Sequence, residues 1–179
     1  VTTLDKINTA VNTTISMVFD KEPLNYLEAA GLYAIVAAGR QNLSGLEVLY
    51  NQAHDRDLRA IIKRAIDEQT KWLMERAEKF LAAAHVSPPA MPTIQRRLHD
   101  SPPQMPDDAR FTDQEIVLGL ANMAKVSQMA VLGAMHQTYK PEIAIVYREI
   151  LDAAFDFNYR LLKLTLDKGW LPYLAKIEH

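Results

Sequence analysis

Cysteine is absent from this 179-residue chain. That excludes disulfide frameworks, thiolate zinc sites, iron–sulfur clusters and cysteine nucleophiles together. Glycine is scarce: 6 residues stand against many Ala, Leu, Glu, Lys and Arg, a balance that favours helix. No glycine-rich phosphate cradle of the Walker or Rossmann type appears, and no Gly-x-Ser-x-Gly elbow. Charge of one sign is also missing. A net charge of −2 gives no global field to gather nucleic acid or an anionic membrane. Arg96-Arg97 and the basic run from Arg56 to Lys63 are the local exceptions. Asp55, Asp57 and Asp67 are interleaved with the latter, which makes it a mixed-sign helix face.

Long apolar runs are nearly absent too. Residues 1–20 alternate polar and apolar types and lack the continuous apolar core of a signal peptide. Ile116 to Met135 is the one stretch long enough to raise a membrane span. Asn122, Lys125, Ser127 and Gln128 stand near its middle, where an ionised Lys at bilayer depth is costly. The expectation is a deeply buried core helix, apolar on nearly every side.

What the chain does contain is helical periodicity. Leu4, Ile7, Val11, Ile15 and Val18 form one stripe, predicting a short helix over 1–20 that ends at Glu22-Pro23. Asn25-x-x-Glu28 is a capping-box variant that opens a second helix. Its stripe is Leu27, Gly31, Ile35, Leu43, Leu46, Tyr50 and Ala53, with Gly31, Gly39 and Gly45 suggesting close approach of a neighbouring backbone. A break at His54-Asp55 is short enough to force reversal. The third helix carries Leu58, Ile61, Ile62, Ile66, Trp72 and Leu81 inward, with Arg59, Lys63, Asp67, Lys71, Glu75 and Lys79 on a solvated face.

Composition changes between Val86 and Phe111. Prolines 88, 89, 92, 102, 103 and 106, six of the chain's nine, fall there. A loop of that length in a compact domain needs a reason. In extended geometry it reaches roughly 80 Å, ample to run the length of a bundle of about 42 Å. Ile94, Leu98 and Met105 are its expected anchors. Thr112-Asp-Gln-Glu115 is a full capping box. Pro141 suits a first helical turn, and Lys168-Gly169 suits a helix end.

The fold class expected is all-α: a ferritin-like antiparallel four-helix bundle over 1–179 in one domain. It has a short N-terminal helix (1–20) and a Pro-rich crossover (86–111). Hairpins are expected from 26–54 with 56–85 and from 112–139 with 141–168. A crossover of this kind makes the two middle helices parallel, and the outer two parallel.

A di-metal centre in such a bundle needs a Glu from each of two helices and a Glu-x-x-His pair from each of the other two. The five His (54, 85, 99, 136 and 179) are preceded at three residues by Asn51, Ala82, Arg96, Gly133 and Lys176. Both pairs are missing. Glu47, Glu68, Asp152 and Asp156 are an outside carboxylate alternative, set against a solvated face or interhelical pairing. His136, near the end of the fourth helix, is expected to be satisfied by a backbone or polar partner and not to serve as a metal ligand. Asn122, Ser127 and Gln128 are expected to pair across helices and fix register, or else to line a small ligand cavity beside Asn122 and Gln128.

Pro23-Leu24-Asn25-Tyr26-Leu27-Glu28 with Leu32-Tyr33 resembles the opening of an uncharacterised bacterial family related to spore coat protein F. His54-Asp55-Arg56-Asp57-Leu58-Arg59-Ala60-Ile61 resembles that family's reversal. The proline-bearing stretch before Phe111-Thr112-Asp113 and the terminal Lys168-Gly169-Trp170-Leu171-Pro172 extend the likeness over about residues 22 to 173. The resemblance implies a ferritin-like bundle with a structural role in or near the spore coat and no catalytic residues to carry over. The expectation is therefore a non-catalytic protein, cytoplasmic or deposited in the spore coat. It works through protein partners or self-association, with no catalytic residue, metal or cofactor assigned and no nucleic-acid or membrane partner. The alternative is a ferritin-like metal-binding protein or oxidoreductase with an atypical carboxylate site.

Overall fold

The structure, a computed structural model, describes residues 23–92, 94 and 96–171. The helix expected over 1–20 and the last eight residues lie outside the described residues.

Asn25 opens α1 (Tyr26–Gln52) with the capping box in place: its side chain accepts from the Glu28 backbone while the Glu28 carboxylate accepts from the Asn25 N–H. Asp55 caps α2 (Arg56–Arg64) by accepting from the Asp57 and Leu58 N–H groups. A π-helical segment, Ala65–Thr70, joins α2 to α3 (Lys71–Ala83) in a continuous rod. Thr112 and Glu115 form the second capping box, at the start of α4 (Asp113–His136). Pro141 begins α5 (Pro141–Lys168), and Gly169 ends it in the left-handed conformation (φ 66°) that glycine adopts without a Cβ penalty. The four rods match the expected hairpins to within three residues at each end, and no strand occurs among the described residues.

Hydrogen bonds at the two ends establish the topology. The Asp113 carboxylate accepts from the backbone N–H groups of His54 (2.8 Å) and Asp55 (3.0 Å), so α2 and α4 start at the same end. Lys168 at the end of α5 reaches Asp55 (2.7 Å) and Asp57 (3.1 Å) there. At the opposite end Glu28 of α1 receives Thr138, Tyr139 and Lys140, just before α5. The α2–α3 rod therefore runs parallel to α4, and α1 runs parallel to α5, as expected from a long crossover.

The crossover lies along the bundle and is pinned there by α1. Arg40 donates to the Pro89 carbonyl and to Glu78. Glu47 accepts from the Arg96 N–H at 3.0 Å, and the Arg96 guanidinium donates to Ser44. Asn51 donates to the Arg97 carbonyl and accepts from the His99 N–H. Leu98 packs against the core, and Met105 is half-buried. Ile94 is no anchor: it is 72% exposed, because the neighbouring backbone is held by the polar side chains of α1.

Two core clusters fill the bundle. One centres on Leu58, Ile62, Leu120 and Leu161, the other on Leu32, Leu81, Ile143 and Tyr147.

Four details of the sequence reading are corrected. Leu27 is exposed while Leu32 and Val36 are buried, so the α1 stripe departs from the expected one in its first turns, whereas Leu46 and Ala53 are buried as expected. Arg59 is only 8% exposed and does not belong to the solvated face. Trp72 stands half-exposed under the Arg76 guanidinium, because the wider π-helical turn before it rotates the following residues out of register. Finally, α4 is not buried on nearly every side. Only 28% of its most apolar window is buried, since one side packs on the bundle and nothing among the described residues covers the other.

Candidate functional site

The uncovered side of α4 presents Leu118, Val126, Met129 and Leu132 beside Asn122 and Lys125. The partner helix α5 presents Phe155, Tyr159, Leu162 and Leu166, spaced i, i+4, i+7 and i+11 and hence on one stripe. Met129 is 71% exposed and Tyr159 66%. The helices are antiparallel neighbours, with Gln114 donating to the Trp170 carbonyl at one end and a short turn at the other. That register sets Leu118 level with Leu166 and Met129 level with Phe155. These exposed apolar residues lie on the outer side of the α4–α5 hairpin, along the groove between two packed antiparallel helices. Its charged members are few: Lys125, and the Arg148–Asp152 pair.

The first hairpin offers a useful comparison. Its outer side carries the crossover, held by Arg40, Ser44, Glu47 and Asn51. Arg59 completes the attachment by donating to the carbonyls of Tyr50 and Ala53 (both 3.1 Å) and of His99, with its guanidinium over the Tyr50 ring. The first hairpin is roofed, whereas no crossover or other described segment covers the outer side of the second.

Inside the bundle, a cavity of about 190 Å³ lies between α1 and α4. Small residues line it: Gly31, Ala34, Ala38 and Gly39 from α1 face Ala130 and Ala134 from α4. Met74 and Ile150 contribute from the other two helices. At one end Asn42 donates to the Ser127 hydroxyl at 3.2 Å. Beside the other end stands Tyr147, fully buried, with a hydroxyl that has no hydrogen-bond partner. Burial, helped by the charge of Glu28, pushes its pKa up to about 12.

Glu28 accepts four hydrogen bonds, more than any other carboxylate among the described residues. Burial alone would raise its pKa, but it accepts from the backbone N–H groups of Asn25, Tyr139 and Lys140 and from the Thr138 hydroxyl. These bonds outweigh burial and hold the carboxyl below its ordinary value. The 25–28 spacing identified the cap. The second half of the role involves residues over a hundred positions away and leaves no local signal.

The carboxylates considered for an atypical metal site are not gathered. Glu47 is occupied by the crossover, Asp156 by Arg160 and Asp152 by Arg148, while the side chain of Glu68 lies outside those described. Among the described residues no group of three or more His, Asp and Glu side chains could hold a metal ion. The described members of that carboxylate set are thus spread over separate partners. His136 stands exposed in the last turn of α4. Of the three polar residues expected to fix register, Ser127 does so through Asn42. Asn122 faces solvent, and the buried Gln128 Nε2 has no partner. The cavity is accordingly beside Asn42 and Ser127, not beside Asn122 and Gln128.

A family model described as a protein of unknown function (DUF3231) matches residues 13–173. The uncharacterized protein YvdQ of Bacillus subtilis strain 168 is 25% identical over 151 residues, covering 84% of this chain and 86% of that protein. Among solved structures, one titled "putative spore coat protein" from Bacillus halodurans C-125 superposes with a TM-score of 0.81 at 23% identity, covering 89% of this chain and 99% of that one. A conserved hypothetical protein of Mycobacterium tuberculosis superposes with a TM-score of 0.65 at 12% identity, covering 85% and 97%. At these identities both likenesses bear on the fold.

Proposed function

This chain belongs to the DUF3231 family, and from that premise we propose that it is a non-catalytic structural protein of a spore-coat type of assembly. It is made in the cytoplasm and deposited in the coat, where it associates with protein neighbours, another copy of the chain first among them. The single-crossover connectivity supports reading the bundle as ferritin-like, with the interior given over to packing instead of metal chemistry.

The observation that carries the proposal is the exposed apolar outer side of α4 and α5, which no other described segment covers. Eight large exposed apolar side chains on two adjoining helices are a concentration of the kind that marks an interaction site. Charged groups are sparse across it, as at the centre of protein interfaces. The solved relative titled as a coat protein supplies the setting. A membrane is the poorer occupant. Lys125 lies within the face, and Ile116, Leu120 and Val131 of the same helix are committed to the bundle core.

The test uses a tagged chain in a sporulating Bacillus host, comparing the native sequence with the double variant Met129→Glu/Phe155→Glu. The native chain is expected in the coat extract, and the variant in the soluble fraction of the mother cell. Recovery of the native chain from the soluble or membrane fraction alone would sink the reading.

A further inference from the structure

The cavity between α1 and α4 has a shape and a chemistry that can be read separately. From Gly31 to Asn42 is eleven residues, about 16 Å along a helix. A volume of about 190 Å³ spread along that distance is long and narrow. Glycine and alanine on both helices keep it open. A Cβ added at Gly31 would stand 2.8 Å from the Tyr147 hydroxyl and 3.3 Å from the Ala134 Cβ. The hydroxyl therefore ends against Gly31, one of the residues that line the cavity.

That hydroxyl is the second observation. It is 0% exposed and has no hydrogen-bond partner, whereas a buried polar group left unpaired costs about 1–3 kcal/mol. Such a group is both donor and acceptor, and suits a ligand atom that is also both. No lining residue is ionisable. The charge of Glu28 reaches Tyr147, so an anionic head group would be repelled and would bury its charge without a counter-ion. The wall is otherwise apolar, with Ala38 and Ala130 exposed at the mouth as an entry path.

We propose that this slot binds a neutral, unbranched alkyl alcohol, its hydroxyl paired with that of Tyr147 and its chain lying between α1 and α4 towards Asn42. An apolar cavity of about 150 Å³ accommodates the six carbons of benzene, which scales here to a chain of about eight. The inference is independent of the coat assignment, because the slot and the α4–α5 groove lie on different sides of α4.

The experiment titrates the ¹⁵N-labelled full chain with 1-octanol and, separately, with sodium octanoate. Saturable shifts are expected at the Gly31, Ala38 and Ala134 amides with 1-octanol, and octanoate should bind more than about tenfold more weakly. Ala130→Leu fills the slot and should abolish those shifts with helix content unchanged. Tyr147→Phe keeps the ring and removes the hydroxyl. It should weaken 1-octanol about fivefold, the worth of one hydrogen bond, without weakening octane. Shifts confined to Met129 and Phe155, equal binding of octanoate, or an unchanged affinity in Tyr147→Phe would each overturn the proposal.

Discussion

Glu28 joins two distant parts of the chain through one carboxylate. Its oxygens serve the α1 cap and the turn entering α5, so charge on this group stabilises both. Because its folded pKa lies below the ordinary 4.5, its contribution is fully present above that value and is lost as pH falls through the folded pKa. Glu28→Gln should therefore flatten the acid limb of the stability–pH curve, measured by urea unfolding between pH 3 and 7 (a range set by about the ordinary carboxylate values). An unchanged limb would show that the charge is not needed. Arg59 is the comparable cation. Replacing it by Ala strands the carbonyls of Tyr50, Ala53 and His99, at a cost of about 2–3 kcal/mol in chemical denaturation. The cap half of the Glu28 role was legible from the 25–28 spacing, but its link to the α5 turn and the Arg59 role were not, for the same reason. A charged residue at a helical spacing looks like surface whether it meets water or a carbonyl brought in from forty positions away.

Elements were far more legible. Capping boxes at Asn25 and Thr112, Pro141 at a first turn and Gly169 at a last one are local, and local chemistry decided them. What periodicity could not supply was which apolar flank faces inward, since α4 is apolar on both its packed and its bare side. The π-helical segment was equally hidden, and with it the exposure of Trp72. Leu120 and Leu161 are both buried in the core. Changing either to Ala should cost about 2–5 kcal/mol, and a loss under about half a kcal/mol would contradict the packing described. The glycines of α1 divide into two kinds. At Gly45 an added Cβ meets nothing within 4 Å, so Gly45→Ala should stabilise by about 0.4–1 kcal/mol in thermal unfolding. At Gly31 the Tyr147 hydroxyl stands in the way, and the same change should destabilise. The expected close approach of a backbone is thus a close approach of side chains, at Gly31 and Gly39 alone.

At the scale of the molecule, 26 proline-rich residues between the hairpins implied a run from end to end, and geometry alone made the middle rods parallel. The surface was not legible in the same way. Exposure of Phe155 and Met129 depends on where the crossover does not go. Sedimentation equilibrium should accordingly find concentration-dependent dimers, and Val126→Glu should shift them to monomer with thermal stability at dilute concentration nearly unchanged. A native chain that stays monomeric throughout would argue against the groove as a contact between copies. The crossover roofs one hairpin only, so the bundle has a back and a front. Two copies meeting front to front about a twofold axis use up both fronts, and the pair closes on itself. Its outside is then two backs, each a polar loop stapled down by arginines. Any sheet or layer built from such pairs has to spread through those backs, by contacts chemically unlike the one that made the pair.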